Sequence, residues 1–185
     1  ANAPNPFLAY LVAIAFGVVF FASAMTFGMT IAQSVVEEKS TRVIEILLAA
    51  IPTRALLTGK IVGTSVLAVG QVALIALVAI VGATLTGQVG VLPAMGPAVA
   101  WFAVFFIVGF VLLASMFAAT GALVSRQEDI GSTTTQVTML VMIPYFLVIF
   151  FNTNPLVIGI MSYVPFSAPI AMPLRVFLGN AEWWE

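Results

Sequence analysis

VVEEKSTRVIEILLAAIPTRALLTGK, residues 35–60, holds seven of the thirteen charged side chains of a 185-residue chain. On either side the sequence is almost pure hydrocarbon: residues 1–36 and 61–125 contain no Asp, Glu, Lys or Arg. A charge cluster set between two such stretches belongs on one side of a membrane. There it meets soluble partners that the apolar stretches cannot reach.

Composition points the same way. Apolar residues make up 62% of the chain, charged residues only 7%, and the mean hydropathy is +1.19. Soluble domains carry about 25% charged residues, so no ordinary water-facing surface can be built from this chain. The expectation is an all-α, polytopic bundle of transmembrane helices forming one membrane domain over residues 1–185. The chain has neither Cys nor His, which excludes disulfides, thiolate metal sites and imidazole chemistry. A net charge of −1 without a basic stripe gives no reason to invoke nucleic acid.

A helix needs about 20 apolar residues to cross the hydrocarbon core. Four stretches qualify: 7–31, 61–86, 99–124 and 133–151, the last containing Pro144. GQVGVLPAMGP joins the second to the third, and the polar turn 125–132 joins the third to the fourth. Residues 155–174 are apolar and long enough to span. However, Pro165, Pro169 and Pro173 recur every four residues, and each proline inside a helix costs about 3 kcal/mol. The segment reads as short interfacial or re-entrant helices, with a full span as the alternative. The opening ANAPNPFLAY lacks an initiator Met and a basic signal-peptide region. The closing AEWWE looks like the approach to a further span near residue 181, so both ends read as trimmed.

Lys and Arg near span ends set orientation. Lys39, Arg42, Arg54, Lys60 and Arg126 fall on one side and Arg175 on the other. This puts 33–60 and 125–132 in the cytoplasm, with the proline-rich segment outside.

Within the charged stretch, Val36, Val43, Ile44, Leu47, Leu48 and Ile51 recur at helical spacing, opposite Glu37, Glu38, Thr41, Arg42 and Glu45. The spacing predicts an amphipathic helix over 36–51. Glu38 and Arg42 stand four apart in the favourable order, worth roughly 0.3 kcal/mol. Pro52 stops the helix, Thr53 caps a short second helix leading into the next span, and Lys60 sits at the interface. Such a helix lies on lipid or docks on a protein. Lipid-surface helices carry a strongly basic polar face, whereas residues 37–60 hold three acids and four bases. That mixture favours a protein partner.

Glu-Glu-Lys-Ser-Thr-Arg, then Glu45-Ile-Leu-Leu, Ile51-Pro52 and Leu56-Leu57-Thr-Gly59-Lys60, resembles the signature of type-2 ABC transporter permeases. It is most similar to that of the sodium-efflux-type (NatB-like) subgroup. The run Val164-Pro-Phe-Ser-Ala-Pro-Ile-Ala-Met-Pro-Leu-Arg175 resembles the subgroup's extracytoplasmic segment. The resemblance implies a fragment lacking the first span with its extracytoplasmic domain, and the last span. It implies a multi-pass subunit of a prokaryotic plasma (cell inner) membrane. It also implies two partners: a second permease copy or paralogue, and an ABC ATP-binding subunit that holds ATP and Mg. In the family the helix 36–51 would be the coupling helix, docked in a groove of that subunit. Glu37, Glu38, Lys39, Thr41, Arg42, Glu45, Pro52 and Lys60 are then the candidate coupling residues.

The remaining polar groups carry weaker signals. Gly59-Lys60 resembles the end of a phosphate-binding loop, but Arg54 stands where the first glycine is needed and Ile61 replaces Ser/Thr. Glu128 and Asp129 make a solvated turn or a second contact with the ATP-binding subunit. Gln71, Gln136, Thr133–Thr135 and Thr138 lie in spans, so they are expected to face other helices or a translocation path, with Pro144 alongside. Gly59/Gly63 and Gly121/Ser125 form small-xxx-small pairs. Pro165, Pro169, Pro173 and Arg175 mark the extracytoplasmic segment. The expected function is the permease of an ATP-driven exporter, with no catalytic or metal residues of its own. An ion-coupled secondary transporter or a non-transporting structural protein is the alternative.

Overall fold

The computed structural model describes residues 6–40, 52–87, 90 and 92–181. Six α-helices run along the described chain: α1 (Pro6–Ser40), α2 (Thr53–Leu85), α3 (Leu92–Leu123), α4 (Ile130–Phe150), α5 (Pro155–Tyr163) and α6 (Ala168–Phe177). A single 3-10 turn, Gln127–Asp129, precedes α4, and no strand occurs among the described residues. The fold is all-α, and α1 to α4 are long and apolar enough to cross a membrane.

The helices are longer than the apolar stretches alone suggest. At 1.5 Å per residue, α1 and α2 each extend about 50 Å, against a hydrocarbon core of about 30 Å. No break separates the first span from Val36–Ser40, so the described part of the expected helix 36–51 is a continuation of α1. The sequence from Ala32 to Ser40 contains no Gly or Pro to interrupt the ladder. Likewise, no separate short helix precedes the second span. α2 starts at Thr53 and runs unbroken, tolerating Gly59 and Gly63. The residue at its N-cap is Pro52, in extended conformation, and no side chain caps there, so Thr53 does not play the expected capping role. α3 takes in half of the expected connector, because Pro93 and Pro97 fall in its first two turns, where few carbonyls lose a partner. Gly87, at φ 72°, ends α2 in the left-handed conformation that favours glycine.

α1 and α3 run parallel and form the core. Phe16 stacks on Phe102 at 4.7 Å between ring centroids, Phe20 meets Phe106 edge-on at 5.8 Å, and Phe27 meets Phe110 at 6.1 Å. Beyond this ladder the two backbones close together. A side-chain carbon on Gly121 of α3 would lie 2.7 Å from the Ala32 carbonyl oxygen, and Phe117 lies against Gly28. α4 returns antiparallel to α1, with Tyr145 lying over Gly17 and stacked on Phe21 at 5.4 Å. α2 lies outside. Only its Ala68 is buried, while Val62, Val66, Leu67, Leu74, Leu77 and Val78 face outward. Such a surface is stable against lipid or protein and not against water.

Residues 155–174 do not form one helix. Pro165 lies in the turn between α5 and α6, Pro169 sits in the first turn of α6, and Pro173 alone is interior. α5 and α6 are each about 15 Å long, half the hydrocarbon thickness. α6 begins midway down the bundle, where Pro169 packs on Gly109 of α3 and near Phe20 of α1. Ala168 to Leu174 are all buried. Pro155 and Asn180 line the same cleft, about 410 Å³ in volume, with Ala9 and Asn152. The segment therefore returns to the end of the bundle at which it began, as a hairpin of two short helices.

Candidate functional site: the charged end of the bundle

Lys39, Arg54, Lys60 and Arg126 collect at one end of the bundle, and Arg175 lies toward the other. The charged end is built from the last turn of α1, the first turns of α2, the last turn of α3 and the turn before α4.

Val35 and Val36 are buried in the last turns of α1, Glu37 and Lys39 are exposed, and Glu38 is half-buried. Glu38 Oε1 lies 2.8 Å from Lys60 Nζ of α2. Both side chains are largely covered, at 28% and 14% exposed. Lys60 Nζ is buried without a well-directed hydrogen bond, so charge attraction carries this contact. Lys39 points elsewhere. Its Nζ donates to the carbonyls of Ala122 at 3.1 Å and Val124 at 3.4 Å. Ala122 is in the last turn of α3, where carbonyls lack helical partners and the helix dipole favours a cation. Lys39→Met is expected to loosen that terminus by about 0.3–1 kcal/mol. Amide exchange of Val124 and the residues after it would rise about two- to fivefold, and an unchanged rate would remove the capping role.

Glu37 is exposed and borders a groove of about 480 Å³ with Met29, Gln33, Gln127 and Ile130. Arg126 pairs with Glu128 at 3.3 Å, with both side chains mostly in solvent, so that pair contributes little. Thr41, Arg42 and Glu45 lie outside the described residues.

The polar residues within the spans behave differently from the expectation of contact between helices. Thr133 Oγ1 donates to the Asp129 carbonyl, and Thr134, Thr135 and Thr138 donate to the carbonyls of Ile130, Gly131 and Thr134. These hydroxyls are satisfied within their own chain segment, the usual outlet for helical Thr. Thr134 adds a 4.0 Å contact to Met29 Sδ of α1. Gln136 is exposed on α4 and takes no part in helix packing within this chain, while Gln71 is half-buried on α2. Among the described residues Gly59 and Gly63 meet nothing within 4 Å, whereas Gly121 makes a close helix contact. Pro144 is inside α4 and leaves the Leu140 carbonyl without its helical donor.

At the opposite end, Arg175 ties the hairpin together. Nη1 donates to Ser162 Oγ at 2.9 Å and Nη2 to the Asn180 carbonyl at 3.1 Å, and the guanidinium lies 5.8 Å from the Tyr163 ring centroid. Asn154 caps α5 by accepting from the Leu156 and Val157 amides. Neither the Lys39 cap nor the Glu38–Lys60 contact was readable from spacing, because their partners lie 83 and 22 positions away.

The model of the ABC-2 family transporter protein matches residues 2–185. The chain belongs to the ABC-2 transporter family. Members of this family are membrane permease components rather than catalytic ones, and typically work with an ATP-binding subunit. Among similar proteins, this ABC-2 chain is 29% identical to the uncharacterized protein YhaP of Bacillus subtilis over 95% of its own length and 44% of that protein's. It is 28% identical to the uncharacterized protein MJ1024 of Methanocaldococcus jannaschii over 91% of its length and 41% of that protein's. The chain thus spans less than half the length of these curated relatives. No solved structure matches it.

Proposed function

We propose that this chain is the membrane core of an ATP-driven exporter, and that its charged end receives the force generated by a separate ATP-binding subunit. The observation that carries this reading is the placement of charge. Residues 35–60, which take in the end of α1 and the start of α2, hold seven of the thirteen charged side chains of an ABC-2 chain, and both helices run unbroken from there for the length of a span.

The mechanism follows from that continuity. ATP and Mg sit in the partner subunit, and closure of its nucleotide sites displaces the segment 41–51. Because α1 reaches Ser40 and α2 begins at Thr53, the displacement enters two spans at once. A second permease copy or paralogue supplies the other half of the path, and the substrate leaves toward the re-entrant hairpin. Glu37, Thr41, Arg42 and Glu45 form the contact with the ATP-binding subunit. The resemblance of its motifs to the sodium-efflux type supports membership of that subgroup, and bacterial and archaeal relatives fit a prokaryotic plasma membrane, with the charged end cytoplasmic.

Affinity capture of the intact protein from its native membrane tests the reading. The expected result is co-purification of an ATP-binding subunit, reduced about tenfold by Glu37→Lys with Glu45→Lys, since two lost charge contacts amount to more than 1.4 kcal/mol. Capture without any such subunit, or undiminished by the double variant, contradicts it.

A further inference from the structure

Glu38 and Lys60 flank the segment 41–51, one on the last turn of α1 and the other on the second turn of α2. We infer that Glu38, Lys39 and Lys60 are positioning residues that clamp the helices on either side of this segment, so that α1, α2 and α3 answer as one body to force applied to it. The inference rests on the coupling reading and refines it.

Three observations converge. Glu38 holds α2 through Lys60 at 2.8 Å, in surroundings covered well enough to weaken screening by water and salt. Its neighbour Lys39 projects about 100° further round the helix and holds α3 through the Ala122 and Val124 carbonyls. Just below, Gly121 brings the α3 backbone against Ala32 of α1, which leaves no room for those helices to slide past each other. One turn of α1 is thereby fixed to both neighbours. Displacement of the segment 41–51 then cannot be absorbed by splaying α1 from α2.

The test uses the intact protein with its ATP-binding subunit in proteoliposomes, comparing Glu38→Lys, Lys60→Glu and the two together. Each single reversal puts like charges in contact and is expected to cut permease-dependent ATPase activity at least about fivefold, and the charge swap is expected to bring it back to within about twofold. A swap that folds and binds the subunit but stays uncoupled makes these residues direct contacts and overturns the clamp. Single reversals that leave the activity unchanged overturn it as well.

A cross-link reads the clamp separately, because this chain contains no cysteine. Glu38→Cys with Lys60→Cys is expected to cross-link with a short bifunctional reagent far more completely than Glu37→Cys with Lys60→Cys. The linked protein is expected to keep most of its stimulated ATPase activity. Equal cross-linking of the two pairs, or loss of coupling on linking 38 to 60, overturns the clamp. Efficient cross-linking with no ATP-binding subunit present in the complex counts against the functional reading and leaves the clamp standing.

Discussion

Gly121→Val is expected to eliminate the folded bundle. The carbon added at position 121 lies 2.7 Å from the Ala32 carbonyl oxygen and 3.0 Å from its Cα. Both are backbone atoms, so no rotamer change relieves the clash. Overpacking by a single methylene costs about 1–3 kcal/mol, and valine adds three carbons against a total stability of only about 5–15 kcal/mol. Even Gly121→Ala is expected to lower the melting point by several degrees. Gly59→Ala and Gly63→Ala are the controls, since nothing lies within 4 Å of either. Replacing a helical glycine there gains up to about 1 kcal/mol in propensity. Monodisperse protein recovered after heating in detergent measures all four variants, and equal losses across them would remove the α1–α3 contact from the account.

The second large effect belongs to the α5–α6 hairpin. Pro169 rests on Gly109, and Ala171 beyond it is fully buried. Gly109→Leu fills the seat of Pro169 from both sides, since Phe20 already lies 3.3 Å from the added carbon. The result expected is expulsion of α6 from the groove between α1 and α3, with the four long helices still in place. A cysteine introduced by Ala171→Cys reports it directly. It is expected to resist a membrane-impermeant maleimide in the native background, and to react at least about tenfold faster with Gly109→Leu, because a buried site opens only when the hairpin undocks. Equal reactivity in both backgrounds would mean that Gly109 does not seat the hairpin.

The helical membrane class was legible because composition alone forbids a water-facing surface, and the four long helices follow from runs of uncharged residues. Their ends were less legible. Hydropathy marks where hydrocarbon stops, whereas a helix stops where its hydrogen-bond ladder is broken. Nothing between Ala32 and Ser40 breaks it, so α1 continues through the charges. Pro93 and Pro97 likewise reside inside α3, because a proline near a helix start displaces few donors. The proline spacing at 165, 169 and 173 argued for breaks, and Pro165 lies in the turn between α5 and α6. It carried no information on where the two short helices insert, which depends on Gly109 some sixty positions earlier.

The charged end was half legible. Clustering drew attention to residues 37–60, and periodicity paired Glu38 with Arg42, which lies outside the described residues. Tertiary placement brought Lys60 to Glu38, and brought Lys39 to the end of α3. Contacts over such separations leave no trace in spacing. The Thr133, Thr135 and Thr138 hydroxyls find acceptors one turn back in their own chain segment, while Thr134 also reaches Met29 Sδ of α1.

The central claim is that force from a partner ATPase enters through the segment between α1 and α2. Its most direct test is the ATPase rate of the reconstituted complex with charges reversed at Glu37, Arg42 and Glu45 together, leaving Glu38, Lys39 and Lys60 intact. The account predicts that the subunit's basal hydrolysis survives and its stimulation by the permease disappears. Stimulation equal to that of the unaltered protein would contradict it.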